Sequence, residues 1–218
     1  NFDDLKDQSK DLTQKVLDKF IEQNPNLDIS YKLFETPNLY ELKCTNLLLK
    51  ECTGDIIIII QDDNFMYQKG WDVSVVNMYA STPNAGCIGM LAGVNVNYKT
   101  KSYSRLEILT PNKDPKCHNP ISASLDQAYP VDTVIRPFIG LRSDFEELNY
   151  LDEAYAPFCW DDMDYCTKLA RKGKQHYYIP FDLVNLSNNT TKETSGAGWA
   201  NNIESRNGNI FWSRYSLS

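Results

Sequence analysis

Five consecutive isoleucines at residues 56–60 constrain the fold of this chain more than any other feature. β-Branched side chains are stiff at χ1 and settle better on a pleated strand than in a helix. An unbroken apolar run of this kind suits a strand covered on both faces, the habit of a central strand in a parallel α/β sheet. Gly54-Asp55 precedes the run, and Gln61-Asp62-Asp63-Asn64 follows it at once. Ligands of open α/β sheets gather beyond the carboxyl ends of the strands, so these carboxylates stand where a functional site is expected. Hard oxygen donors there suit Mg²⁺ or Mn²⁺ carrying a phosphorylated substrate. The competing explanation is an acidic surface turn that merely closes a core strand.

The remaining pattern alternates helix and strand. Leu12, Val16, Phe20 and Ile21 recur at helical spacing, and Asn24-Pro25-Asn26 ends that helix. Further helices are predicted over 39–52, 71–80, 143–148 and 162–172, the last closed by Gly173. Strands are predicted over 29–34, 56–60, 131–141 and 175–179, with a strand pair over 85–96. Residues 99–129 carry several Pro and Asn and read as a long functional loop with short strands. The polar, Gly-containing tail over 187–218 reads as mobile, with Phe211, Trp212 and Tyr215 able to dock it back. The expected fold is α/β, a three-layer sandwich around a mainly parallel central sheet, built as a single domain over residues 1–218. The chain begins with Asn1 and no opening strand precedes the first helix, so the front of the domain is expected to be absent.

Charge and cysteine usage narrow the partners. A net charge of −7 without a Lys/Arg-rich run argues against nucleic acid. No apolar stretch approaches the roughly 20 residues of a membrane span, which leaves peripheral membrane association open. The six cysteines contain no CxxC pair, so neither a zinc nor a redox motif is indicated, and free thiols point to a cytoplasmic location.

A second acidic cluster lies in Phe158-Cys159-Trp160-Asp161-Asp162-Met163-Asp164. Carboxylates at a helix start are favoured by the helix dipole and cap free N–H groups, which accounts for one of them. Three crowded together repel, and repulsion raises a carboxyl pKa toward the range useful for a general base. Trp160 adjoins the cluster and is the best-placed aromatic platform for a ligand; Trp71 and Trp199 read as packing. His118, in a loop, and His176, in a strand, carry no partner motif and read as solvated and structural, respectively.

The stretch Asp161-Asp162-Met-Asp164-Tyr-Cys166-Thr-Lys168-Leu169-Ala-Arg171-Lys-Gly173 resembles the E-D-x-D-L-C-x-R-x-x-x-x-G signature of family 2 glycosyltransferases with the GT-A fold. Ile139-Gly140-Leu141-Arg142 with Leu151-Asp152-Glu153 is similar to that family's "G-x-x-x-R … F-D-E" run. Asn38 and Asn46 match the asparagines of its helix preceding the metal strand, Gly54-Asp55 the approach to that strand, and Gln61-Asp62-Asp63-Asn64 its DXD-type motif. Ser9-Lys-Asp11-Leu-Thr13 is similar to its "S-x-D-x-T". The resemblance implies an inverting transfer from a nucleotide-diphosphate sugar, UDP-linked, to a glycan, lipid-linked or other hydroxyl acceptor, with Mn²⁺ or Mg²⁺ as cofactor. It implies Asp63 and Asp62 as metal ligands, Asp62 turned toward ribose or metal-bound water, and Asp162 as general base with Asp161 as the fallback. It further places Asp4 or Asp7 at the nucleotide base, Asn38 near the donor, and Trp160 and Arg142 at the acceptor, with Arg136 sharing the anionic role.

Two departures stand out. Gln61 replaces the first aspartate of the usual motif, and the histidine many members carry after the last strand is absent, with Asn185 in its region. They keep two alternatives open: an inactive GT-A-like module that binds sugar or a partner, and a sugar-1-phosphate nucleotidyltransferase.

Overall fold

The structure, a computed structural model, describes residues 9–37, 39–61, 63–108, 120–121, 127–185 and 196–216. Helix α1 (Ser9–Gln23) and helix α2 (Tyr40–Glu51) lead to strands β1 (Ile56–Ile59) and β2 (Asn64–Met66) and helix α3 (Trp71–Ser81). Strands β3 (Ala85–Gly89), β4 (Gly93–Asn97), β5 (Ser102–Ile108), β6 (Pro120–Ile121), β7 (Tyr129–Val131), β8 (Thr133–Val134) and β9 (Phe138–Leu141) follow. Helix α4 (Arg142–Glu147), a 3-10 turn (Glu153–Tyr155), helix α5 (Asp161–Arg171), strands β10 (Gln175–Tyr178) and β11 (Leu183–Asn185), and helix α6 (Ala197–Tyr215) complete the chain.

The main sheet has the order β1-β9-β3-β10-β7. Among its described strands only β3 and β10 pair in parallel; β1/β9, β9/β3 and β10/β7 are antiparallel. This corrects the expectation of a mainly parallel sheet. Helix–strand alternation implies parallel neighbours only where a helix forms each crossover. Between β3 and β9 the chain instead runs through the β4–β5 hairpin and its extension, and β9 re-enters between β1 and β3 in the opposite sense. A small sheet of β6-β5-β4-β8 and the β2/β11 ribbon stand beside the main one.

The isoleucine run also departs from expectation. Among the described residues β1 is an edge strand, covered on one face: Ile57 and Ile59 are buried while Ile58 and Ile60 are 37% and 49% exposed. A uniform apolar run erases the period-2 signal that separates a one-faced from a two-faced strand. The alternation continues across the sheet. Ile57, Ile59, Cys87 and Phe138 enter the core shared with α2 and α5, whereas Ile88 and Ile139 enter a second core with Val75 of α3 and Phe181. Helices therefore cover both faces, and the three layers are present.

Helix α2 buries Leu42, Asn46 and Leu49, one face at helical spacing. Asn46 donates to the Leu151 carbonyl (2.8 Å) and accepts from the Leu151 N–H (3.0 Å), which ties α2 to the loop before α5. Helix α5 ends as expected: Gly173 has φ +89°, Gly173 N–H bonds the Ala170 carbonyl and Lys174 N–H the Leu169 carbonyl, a Schellman closure. Residues 29–34, expected as a strand, form none, and 131–141 breaks into β7, β8 and β9. The tail expected to be mobile contains the 19-residue helix α6, which docks through fully buried Phe211 and through Tyr215. No helix among the described residues is long and apolar enough to cross a membrane.

Candidate active site

Two carboxylate clusters meet where β1 ends and α5 begins, and Arg136 joins them. Gln61, the residue after the isoleucines, donates its amide to Glu41 Oε1 on the first turn of α2 (2.8 Å). Glu41 lies 3.5 Å from Arg136 Nε, and the Arg136 guanidinium is ion-paired and hydrogen-bonded to Asp161. Burial raises the Glu41 carboxyl above its ordinary range, the Arg136 charge opposes this, and the charges of Asp161 and Asp63 add to it. Glu41 thus feels both clusters at once. Burial alone disfavours the charged guanidinium, but Asp161, Glu41 and Asp162 together hold Arg136 firmly protonated.

Asp63 follows β1 on the turn into β2. Its Oδ1 accepts from Asn64 Nδ2 (2.6 Å) and Asn185 Nδ2 (3.4 Å). The β2/β11 ribbon explains the second contact, since Asn185 is the register partner of Asn64. Asn185, the candidate replacement for the missing histidine, therefore stands beside Asp63. Asn64 Oδ1 is buried without a hydrogen-bond partner. A carboxylate with an orphaned amide oxygen beside it is a hard-oxygen donor set, which fits Mg²⁺ or Mn²⁺ and not a thiophilic metal. Asp62, Asn38, Asp4 and Asp7 lie outside the described residues.

At the α5 start the three aspartates take different parts. Asp161 is fully buried against Arg136. Asp164, also fully buried, accepts from the hydroxyls of Tyr155 (2.9 Å) and Tyr215 (2.7 Å) and pairs with Lys168 (2.7 Å) and Arg214 (3.2 Å). It is an anchor for α6. Asp162 has no ion-paired side chain of its own among the described residues; Met163 N–H and Arg136 N–H donate to it at 2.8 and 3.3 Å. Burial, then the Asp161 charge, pushes its carboxyl up to about 6 against the pull of Arg136 and those two donors. Of the three, Asp162 has the environment of a base poised near neutral pH.

The turn presenting these residues is strained. Cys159 and Trp160 both have left-handed φ, +69° and +72°, which is costly for side chains of this size. Helix α6 holds it: buried Asn207 donates to the carbonyls of Tyr155 (2.6 Å), Phe158 (2.7 Å) and Cys159 (3.1 Å). No sequence motif marked Asn207 or Glu41; each becomes visible only when distant segments meet. Asn207→Ala strips the side-chain donor from three carbonyls and is expected to destabilise the protein by about 2–3 kcal/mol. Urea unfolding checks this, and a loss below about 0.5 kcal/mol would show that the turn holds itself.

Other candidates sort clearly. Arg142 sits at the opposite end of β1, its N–H on the Asp55 carbonyl and its guanidinium paired with Asp55 and Glu146, both at 3.2 Å. That is about 17 Å of strand from the acidic motif, so the structure does not bring Arg142 to it. Arg136 is the arginine that joins the two acidic clusters. Trp160 lies against Phe211, Trp212 and Tyr103 (ring centroids 5.3–5.8 Å apart), beside Asp161. Trp71 packs on Phe181, and Trp199 on Tyr40 and Phe158. His118 is outside the described residues. Cys44, Cys52, Cys87, Cys159 and Cys166 are free. Cys87, Cys166 and His176 cluster in the core, but His176 Nδ1 accepts from Cys87 N–H and Nε2 donates to the Cys166 carbonyl, both at 2.8 Å. Both ring nitrogens are engaged and burial lowers the imidazole to about 4, so His176 is a neutral core residue, as expected.

Comparison of the sequence with known protein families and with curated proteins gives no match. Among solved structures, one that the fold matches is the crystal structure of GalNAc-T7 with UDP, GalNAc and Mn²⁺, at a TM-score of 0.57 and 14% identity. The likeness covers 79% of this chain and 35% of that one, so the chain spans about a third of its neighbour's length. At such identity the likeness speaks for the fold alone. The chain therefore has a mixed α/β fold, shared with that structure, around a mostly antiparallel sheet.

Proposed function

We propose that this chain is an inverting, metal-dependent glycosyltransferase of family 2 that transfers a sugar from a UDP-linked donor to a hydroxyl of a glycan or lipid-linked acceptor. The observation that carries the reading is the pairing of two differently equipped carboxylates in one electrostatic unit. Asp63 accepts from the side-chain amides of Asn64 and Asn185 beside the unpartnered Asn64 oxygen, while Asp162 is a buried carboxyl raised to about 6, and Glu41 and Arg136 lie between. The fold likeness to a structure holding UDP and Mn²⁺ supports the same donor class.

Each side chain then has a defined task. Asp63, with the amide oxygens of Asn64 and Asn185 and with Asp62, would hold the divalent ion. When bound, that ion neutralises the diphosphate and orients it as a Lewis acid. Asp162 takes the proton of the acceptor hydroxyl as it attacks the anomeric carbon from the face opposite the leaving diphosphate. Asp161 fixes Arg136, whose backbone N–H in turn orients Asp162. Gln61, in place of a third acidic ligand, spends its amide on Glu41 and so locks α2 against the end of β1.

Calorimetric titration with UDP, GDP and CDP, each with and without Mn²⁺, tests the reading. UDP binding that appears only with Mn²⁺ is expected. Absence of binding by all three would sink it in favour of a sugar- or partner-binding module.

A further inference from the structure

Two carboxylates divide one edge of the Arg136 guanidinium. Nε–H and an Nη2–H point the same way along that edge, and a single carboxylate ordinarily takes both as a bidentate fork. Here Nη2 goes to Asp161 Oδ2, while Nε faces Glu41 Oε1 at 3.5 Å, too far for a hydrogen bond of ordinary length. Two buried atoms are left over. Among the described residues neither Arg136 Nε nor Asp161 Oδ1 has a hydrogen-bond partner. They are the very atoms that a full fork between Arg136 and Asp161 would join.

A buried donor and acceptor left unmatched are costly, so the open fork needs a cause. Glu41 supplies it by drawing the Nε side toward α2. It is held in turn by Gln61, whose amide donates to the same Oε1 at 2.8 Å. The residue that ends the isoleucine strand therefore reaches the start of α5 through Glu41 and Arg136.

The consequence falls on Asp162. Its carboxyl is raised by burial and by the Asp161 charge, and lowered by Arg136, whose backbone N–H also donates to it at 3.3 Å. Cys87 from β3 and Cys159 from the turn before α5 also face it, but burial raises both thiols and leaves them uncharged near neutral pH. Glu41 and Asp162 act on the same Cys159 thiol, which places α2 within the same field. Closing the fork would commit the guanidinium to Asp161 and cancel more of the charge that Asp162 feels. Removing the Glu41 carboxylate subtracts a further negative charge. Both changes make Asp162 easier to ionise and a weaker base.

We propose that Glu41 is a positioning residue: by holding Nε it keeps the Arg136–Asp161 fork open and so sets the charge that Asp162 faces. That Asp162 serves as the base rests on the transferase reading above; the fork does not. Carboxyl-carbon NMR of aspartate-labelled protein, titrated with acid and assigned with Asp162→Asn, tests it. Glu41→Gln keeps the shape and removes the charge. It is expected to lower the Asp162 midpoint by at least about half a unit. The resonance of Asp164, anchored by Tyr155, Tyr215 and Lys168, is expected to stay where wild type has it. In nitrogen-labelled arginine, the Arg136 Nε–H proton is expected to move downfield as it gains Asp161. Gln61→Ala leaves the Glu41 charge but takes away the amide that holds it, so a smaller displacement of Asp162 in the same direction is expected. It decides the question if Glu41→Gln does not melt like the native protein. An unmoved Asp162 midpoint, or an equal displacement of Asp164, overturns the proposal and leaves Glu41 a packing residue of α2. Mn²⁺–UDP binding is measured on the same wild-type protein. Nucleotide binding with an unmoved Asp162 overturns the fork and leaves the transferase standing. A moved Asp162 without nucleotide binding keeps the fork and overturns the transferase.

Discussion

Asp162→Asn is expected to lower sugar transfer by about 10²–10⁴-fold while leaving Mn²⁺-dependent UDP binding unchanged. The substitution keeps size and one carbonyl oxygen but removes the proton acceptor. It leaves Asp63 and its amide neighbours untouched, so donor affinity is a built-in control. The wild-type rate has a matching pH dependence. Burial and the neighbouring Asp161 raise the Asp162 carboxyl to about 6, so the competent carboxylate is lost as pH falls through 6. Below that value the rate is expected to drop about tenfold per unit. Stability runs the other way. The folded-state pKa lies above the unfolded value of about 3.9, so the stabilisation of the protonated form is complete below pH 4 and lost as pH rises through 6. The amide introduced by Asp162→Asn never ionises, so the variant's melting temperature at pH 7.5 should equal or exceed that of wild type. A variant that folds, binds UDP with Mn²⁺ and still transfers at near-normal rate would remove Asp162 as the base.

How much of this was legible in the sequence follows from the range over which each signal acts. Helices α2, α3 and α5 lie within a residue or so of their predicted limits because their spacing and, for α5, the Gly173 stop are local. Strand direction is not local. Nothing in Phe138–Leu141 says that it enters between β1 and β3 antiparallel to both, and the isoleucines carry no alternation to report an open face. The site divides in the same way. Asp63, Asp161, Asp162 and Trp160 announce themselves as clusters of chemistry-bearing residues in short segments. Glu41 is one ordinary acid in an amphipathic helix, and Asn207 one of several asparagines in the tail. Their roles arise from contacts across 95 and about 50 positions, respectively, which no local pattern encodes. Arg142 shows the converse. It matches a family position, yet pairing with Asp55 holds it at the opposite end of the strand from the acidic motif.

Asp63→Ala is expected to abolish the Mn²⁺-dependent part of UDP binding, a loss of at least about 100-fold. A ligand that binds only the native state stabilises it by about 2.7 kcal/mol at 100 times its Kd, so Mn²⁺ with UDP should raise the wild-type melting temperature by several degrees. The same mixture should leave Asp63→Ala where it melts alone. Asn185→Ala separates two explanations of the 3.4 Å contact. If Asn185 only orients Asp63 or lends an amide oxygen to the ion, its loss should weaken metal-dependent binding roughly tenfold without abolishing it. If the Asp63–Asn185 contact merely closes the β2/β11 ribbon, Asn185→Ala should lower the melting temperature with and without ligand and leave affinity intact. An Asp63→Ala variant that keeps the full Mn²⁺–UDP shift would mean that the ion is held elsewhere. The acidic turn after the isoleucines would then be the surface turn that its sequence also allows.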